Sequence, residues 1–503
     1  MKKGRYIFCV FAGMCFFLIA GSDCIAQVTI DTSGFITVKP GTEMHIGGEL
    51  KIMSGQKNSG HLCDQTDGTN VAITGNVTIQ RHLTANMWHN CAVPVSNNAS
   101  GVYAGTDLVF YYDETIIEND WEFGWVLYQG QLDVMKGYDV YMDVPATVNY
   151  TAPSSAELNT GSYSIFVTKT DPANGEIESH KGWNLIGNPY PSPVDWLDEA
   201  GWDKLPINDA KYIWDHQNQN YTIFLGGDDP LGINGGTRYI PANQGFWVQA
   251  VANGTVHVNN IARRGIMEDT PGFYKSAVDY PMICLRMEAN GRYDETVIRF
   301  LGAATEGFDP GMDAFTFSGR AAGYPGISTL FKGDRLAVNS LPAVRQNMVF
   351  QLYTETGSGL PATLEMTPES TIGEYAEVYI SDTYTNHTFS LNNGAPYHFT
   401  GVPENGNQRF VLYINPPEDI KNSITADNAY SIYSSGKVVY VTKNTSVPQE
   451  GTISIFDIYG NVTALIRLPD QEQFQFDTGL PPGYYIVRVV TEKFRIAEKL
   501  RIG

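Results

Sequence analysis

The sequence predicts an all-β protein of several β-sandwich domains in tandem. A short ladder or solenoid-like segment precedes them and an immunoglobulin-like β-sandwich ends the chain. Three observations carry this. Tyr (29) and Phe (24) are abundant beside 50 Gly and 26 Pro in 503 residues, the composition of frequently reversing strands. Apolar residues recur with period two in runs of 4–9 residues. The length allows three or four domains.

The chain opens on Lys2, Lys3 and Arg5, followed by a fifteen-residue apolar run, Ile7 to Gly21. A membrane helix needs about 20 such residues. The pattern predicts a secretory signal peptide over 1–26, cleaved at Ala26-Gln27. Cys24 raises a lipoprotein alternative, but Asp23 stands where that signal needs a small residue. No later stretch is apolar enough for a spanning helix. Removing residues 1–26 leaves a net charge of −23, which disfavours nucleic acid and anionic lipid as partners. Three cysteines remain. An oxidising compartment favours a disulfide between Cys63 and Cys91, and Cys284 in "MICLRMEA" is expected to be a buried free thiol.

Residues 27–83 step through "FITV", "MHIGGELKI" and "VAITGNVTI" with glycines between, the spacing of a small solenoid or a meander. Residues 84–265 hold all eight tryptophans and an internal echo. "MWHNCAVPVS" (87–96) matches "GWNLIGNPYPS" (182–192), "LVFYYDE" (108–114) matches "AKYIWDHQ" (210–217), and "MKGYDVYMDVPATVNYTA" (135–152) matches "ANQGFWVQAVANGTVHVNN" (242–260). Three matches in one order predict a duplicated β module with copies at about 84–155 and 160–265. In it Trp88 and Trp183 are equivalent core anchors, and the prolines and Asn188 form a fixed corner. Residues 266–415 carry seven strand-like runs, a β-sandwich pattern. A polar linker spans 416–428, and residues 429–503 form a compact terminal unit.

That terminal unit resembles the C-terminal sorting domain of Bacteroidetes proteins exported by the type IX secretion system. The resemblance rests on "GTISIFDIYGNV" (451–462), "LPPGYYIVRVVT" (480–491) and "KLRI" (499–502), with Gly451, Asp457, Gly460, Gly483, Tyr485 and Lys499 at its matching positions. The usual Asn-Pro-rich opening strand is replaced by "NAYSIYSSGKVVYV". Upstream, "GWNLIGNPYPSPVDW", "QGFWVQA", "DETVIRF" and "FDPGMDAF" are similar to stretches of large secreted Bacteroidetes surface proteins. The resemblance implies a Sec leader, passage through the periplasm, the type IX machinery as partner, and display on the cell surface or release. It implies no chemistry.

No HExxH, G-x-S-x-G or G-x-x-x-x-G-K-[ST] signature is present, and the nine histidines lack i, i+2 or i+4 spacing. The expected role is therefore structural or adhesive, without catalysis. A carbohydrate-binding reading rests on Trp121, Trp125, Trp196, Trp202 and Trp214, whose indoles are candidates to stack on sugar rings. A glycoside hydrolase would need two carboxylates facing across a cleft. Asp228, Asp229, Asp309 and Asp313, on two tight turns, are candidate ligands for a structural Ca²⁺. The sequence calls for no other cofactor.

Overall fold

A computed structural model describes residues 27–503 apart from 67, 104–107, 117–123, 172–177, 266–279, 318–323, 358, 386, 402–407, 418–429, 444–449 and 493–494. The expected leader, Trp121 and residues 418–428 of the expected linker lie outside the described residues. The architecture is all-β, and no helix among the described residues is long and apolar enough to cross a membrane.

The first segment is a parallel stack with three sides. Gln27–Ile30 pairs in parallel with Glu49–Ile52, and Glu49–Ile52 in parallel with Val77–Leu83. Phe35–Val38 lies parallel to His61–Asp64, and Met44–Ile46 parallel to Val71–Ile73. Each rung turns its apolar residues inward, so Ile30, Ile52 and Ile79 stack, as do Ile46 and Ile73. Strands this short hold one or two inward residues each, and only stacking makes the core continuous.

The internal echo is a duplication of topology. In the first copy Met87–Cys91 pairs with Tyr138–Met142, which pairs with Val109–Tyr112, which pairs with Trp125–Leu127. In the second, Trp183–Gly187, Gly245–Ala250, Ile207–Asp215 and Asn220–Leu225 follow in the same order. Each copy adds an outer hairpin-like pair, Val77–Leu83 with Ala146–Ala152 and Tyr163–Val167 with Gly254–Val258. The first copy thus starts at Val77, inside the stretch assigned by sequence to the solenoid. That strand serves both, closing the parallel stack on one edge and pairing antiparallel with Ala146–Ala152 on the other.

The copies join through their backbones, reciprocally. Cys91 bridges Gln244, and Ile186 bridges Lys136. The registers Tyr138–Cys91 and Phe246–Ile186 make these the same contact made twice. Ala92 N donates to Asn243 O at 2.9 Å, and Gly187 N to Met135 O at 2.8 Å. Both acceptors sit in left-handed backbone, Met135 at φ 66° and Asn243 at φ 59°. For a buried methionine that conformation costs about 1–2 kcal/mol. It is held because the turn must present its carbonyl to the other copy. Two residues further, at Gly137 and Gly245, the backbones approach too closely for a side chain: a Cβ on Gly137 would lie 2.7 Å from Ile186 O, and one on Gly245 3.0 Å from Cys91 O. Arg81 spans the junction, its guanidinium donating to the carbonyls of Asn90 and Asn243 and to Gln244 Oε1.

The next unit is one hydrogen-bonded sheet folded over on itself. It runs from His387–Ser390 through Met282–Ala289 to Tyr397–Thr400. Its ends meet where Phe389 stacks on Tyr397 at 4.2 Å. Along Met282–Ala289, Ile283, Leu285 and Met287 enter the sandwich core, whereas Met282 and Cys284 point outward onto the second copy. Apolar residues on both faces mark this strand as a middle layer. Cys284 is a buried free thiol, as expected.

The last unit pairs a three-stranded sheet (Tyr430–Ser435, Val438–Lys443, Gln473–Asp477) with a four-stranded one (Val462–Leu468, Gly451–Phe456, Gly483–Thr491, Arg495–Ile502) around its own core. It touches the sandwich where Tyr433 stacks on His398 at 4.8 Å and the two side chains share a 2.8 Å hydrogen bond.

The expected disulfide is corrected: Cys63 and Cys91 are both free and buried. They belong to different neighbourhoods. Cys63 lies in the parallel stack near Arg263, and Cys91 at the copy junction near Arg81 and Tyr103. Burial raises the pKa of both thiols.

Gly137→Ala is expected to destabilise the chain by about 1–3 kcal/mol through backbone overlap at the junction. Gly101→Ala, where an added Cβ meets nothing within 4 Å, is expected to change little. Equilibrium denaturation of the two variants checks the ordering.

Candidate functional site

The tryptophans were the sequence's best candidates for a surface site, and the fold divides them sharply. Trp196 and Trp202 are buried, a correction to the platform reading. Their rings meet at 5.1 Å and both flank Phe246 in the core of the second copy. Their indole N–H groups are used inside the protein, Trp196 Nε1 donating to Asp209 O and Trp202 Nε1 to Asp195 O. Lys204 Nζ lies 4.1 Å from the Trp196 ring centroid and closes it from outside. The proline-rich stretch ahead of Trp196 is a fixed corner, because Asn188 Nδ2 donates to Ser192 O and Pro241 O while its Oδ1 accepts from Tyr190 N. Trp125 and Trp214 are half-buried. Trp125 stands edge-on to Tyr112 and Trp247, and Trp214 leans on Tyr221.

Trp88, which sequence reasoning assigned to the core, is the exposed one among the described tryptophans, at 37%. It occupies the position equivalent to Trp183, which is 2% exposed. The difference lies in what covers each sheet. Over the second copy, Phe317 packs on Trp183, Tyr212 and Trp247 at 4.3–5.8 Å, and Tyr212 Oη donates to Phe315 O. Over the Trp88 end of the first copy no such sheet lies among the described residues. Among the described residues the ring partners of Trp88 are its sheet neighbours Phe110 and Tyr141, at 5.8 and 5.2 Å and steep interplanar angles of 61° and 58°. These rings form a faceted patch with exposed Leu108 and Leu127 nearby.

On the same sheet face, Asp139 takes the place that Trp247 holds in the second copy. Asn90 Nδ2 donates to its carboxylate at 2.9 Å. Burial nevertheless pushes its pKa up to about 7, with the Asn90 hydrogen bond opposing the shift.

The two acidic turns do meet, yet an arginine occupies the place proposed for calcium. Arg299, 1% exposed, donates to Asp229 O, to Met312 O and to Ser340 Oγ, so its guanidinium ties the turns together. Asp313 is spent on the backbone, accepting from Asp309 N and Ser340 N, and Asp309 accepts from Thr305 N and Oγ1. Asp228 and Asp229 point into solvent. Among the described residues no group of three His, Cys, Asp or Glu side chains converges as metal ligands.

Among the shallow concavities on the surface of the described residues are three of about 530, 530 and 390 Å³. Only the last has two carboxylates, Asp203 and Asp209, and Asp209 is held by Lys204 Nζ at 3.1 Å.

In the terminal unit the matched positions have local roles. Asp457 accepts from Tyr459 N and Asn461 N, Gly460 takes φ 88° in the same turn, and Tyr485 Oη donates to Pro481 O. A Cβ on Gly451 would fall 2.4 Å from Val490 O, Gly483 opens a strand, and Lys499 Nζ stands over the Tyr484 ring at 4.9 Å.

Comparison with known proteins places most of the chain in one family. The family described as a domain of unknown function (DUF8693) matches residues 17–413, and the chain belongs to it. No curated protein matches the chain. Among solved structures, one titled "Biofilm associated protein - BSP domain" is similar at 10% identity over 86% of this chain and 96% of that chain. Its TM-score is 0.16, too low to bear on fold or role.

Asp139 dictates a pH dependence. Its folded pKa of about 7 lies above the ordinary carboxylate range, so the folded state holds a proton that the unfolded state releases. This contribution is fully present below about pH 4 and is lost as pH rises through about 7. Asp139→Asn is expected to remove that fall, raising Tm at pH 8 relative to the parent and leaving it near unchanged at pH 4. Thermal melts across pH measure it.

Proposed function

We propose that this member of the DUF8693 family is a secreted protein displayed at the cell surface, with a structural or adhesive role and no catalysis of its own. In this reading a leader directs the chain to the periplasm, and the type IX machinery takes it onward through the terminal unit. The observation that supports the reading most is that residues 430–503 close a core of their own from seven strands. Such a unit is able to fold and be recognised without the body it follows. The body suits a scaffold, with its stacked cores and surface concavities shallow among the described residues. Deleting residues 429–503 is expected to leave the protein in the periplasm. Undiminished surface display of the deleted chain, scored by protease accessibility on whole cells, would overturn the export reading.

A second reading has one observation in its favour: Trp88 is exposed between Phe110 and Tyr141, with Asn90 and Asp139 on the same face. Indole and carboxylate together suit a sugar ring, whose C–H face stacks while its hydroxyls donate. The rings are tilted, which fits a short glycan better than a flat polysaccharide surface. Trp88→Ala is then expected to cut retention on glycan-coated supports at least tenfold with Tm little changed. Equal retention by parent and variant removes this reading.

A further inference from the structure

The outer face of the terminal four-stranded sheet is the most exposed apolar surface described in the chain. Its inner face buries Ile453, Ile455, Val487 and Val489. By strand alternation Phe456, Val462, Leu465, Tyr484 and Ile486 point the other way, and they are neighbours in register: Val462 beside Phe456, and Phe456 beside Ile486. Leu465 is 70% exposed, and Ile458 and Tyr459, at the tip of the adjoining turn, are 66% and 85% exposed. Single exposed apolar residues are ordinary; a contiguous set needs an occupant.

The charge of the same face is cationic. Ile486 pairs with Lys499 and Tyr484 with Arg501, while Arg488 lies one row further along. Arg488, Lys499 and Arg501 have no carboxylate partner among the described residues. Two of them lie over rings of the same face, Arg488 4.7 Å from the Phe456 centroid and Lys499 4.9 Å from that of Tyr484. Of the nearby acids, Glu450 is engaged by Arg467, and Asp457 is turned back onto Tyr459 N, Asn461 N and Asn461 Nδ2. Charge is thus segregated along the chain. Residues 430–503 carry eight Lys/Arg against seven Asp/Glu, within a chain whose net charge is −21.

We infer that this face is a docking surface for an anionic lipid leaflet. Aliphatic and tyrosyl side chains at the tip enter the boundary between headgroups and acyl chains, and the cations beside them meet the phosphates. A projecting tip of Ile458 and Tyr459 suits a deformable surface better than a rigid protein groove. The acidic body does not cancel the attraction, since at physiological salt a charge is screened beyond about 8 Å. The expectation from net charge alone, that anionic lipid is repelled, fails here because the charge is unevenly spread. The inference stands apart from the export reading: surface display of the chain without its terminal unit, with vesicle binding by the full chain intact, would sink only the latter.

The test is co-sedimentation of the full chain with vesicles of phosphatidylcholine alone and of phosphatidylcholine mixed with phosphatidylglycerol. Binding to the mixed vesicles is expected to exceed that to the neutral ones by at least tenfold and to weaken with salt. Arg488→Glu and Lys499→Glu are each expected to reduce it by about fivefold or more. Tyr459→Ser reduces it without altering Tm, its side chain being largely free of contacts. Equal binding to both vesicle types, or none to either, overturns the inference. So does self-association abolished by Leu465→Asp with the vesicles left empty, which would make the face a contact between copies.

Discussion

The junction between the two copies of the β module is the constraint on which the rest of the structure depends. It is built from main chain, and it is made twice. Each copy offers the carbonyl of a left-handed residue, Met135 or Asn243, to an amide at the end of the other copy's first sheet strand. A contact between backbones needs the strands to approach without side chains between them, which only the glycines at 137 and 245 allow. Buried amides and carbonyls left unpaired there would cost more than the strain at Met135. The geometry therefore fixes the angle between the copies, and with it where every later unit lands.

From that fixed arrangement the copies diverge. The second presents an apolar face to the folded sheet that follows, and the two share one core around Phe317, Trp247 and Cys284. The first keeps the equivalent tryptophan, and among the described residues no sheet covers its Trp88 end. Asp139 stands where Trp247 would be, and Asn90 where the repeat places Leu185. A carboxylate is tolerable at that position because the face is only half-buried and an amide lies beside it. Duplication supplied two similar sheets, and burial of one released the other from packing.

The fold class was legible because composition and period-two patterning act locally. The spacing over residues 27–83 left a solenoid and a meander open, which the parallel pairing of the strands decides, and the echo of the tryptophan motifs pointed to repeated strand order. Three things were hidden. The strand Val77–Leu83 belongs to two units, and nothing in its sequence marks the second. Burial of Trp88, Trp196 and Trp202 depends on neighbours distant in sequence, so equivalence within a repeat misled for Trp88 and lack of an equivalent misled for Trp196. The acidic turns at 228–229 and 309–313 were read from the sequence as candidate Ca²⁺ ligands. Their ligand is Arg299, an internal cation on a strand between them, and residue type alone could not pair it with them. The cysteines show the same limit, since spacing says nothing of which side of a junction a thiol faces.

The most direct measurement of the account is amide hydrogen exchange at Ala92 and Gly187, the two donors that cross between the copies. If the junction fixes the body of the protein, both amides exchange as slowly as those within Ile207–Asp215, and they do so together. Rapid exchange at these two positions, with residues 87–91 and 183–186 still protected, would mean that the copies are tethered neighbours and that the junction organises nothing.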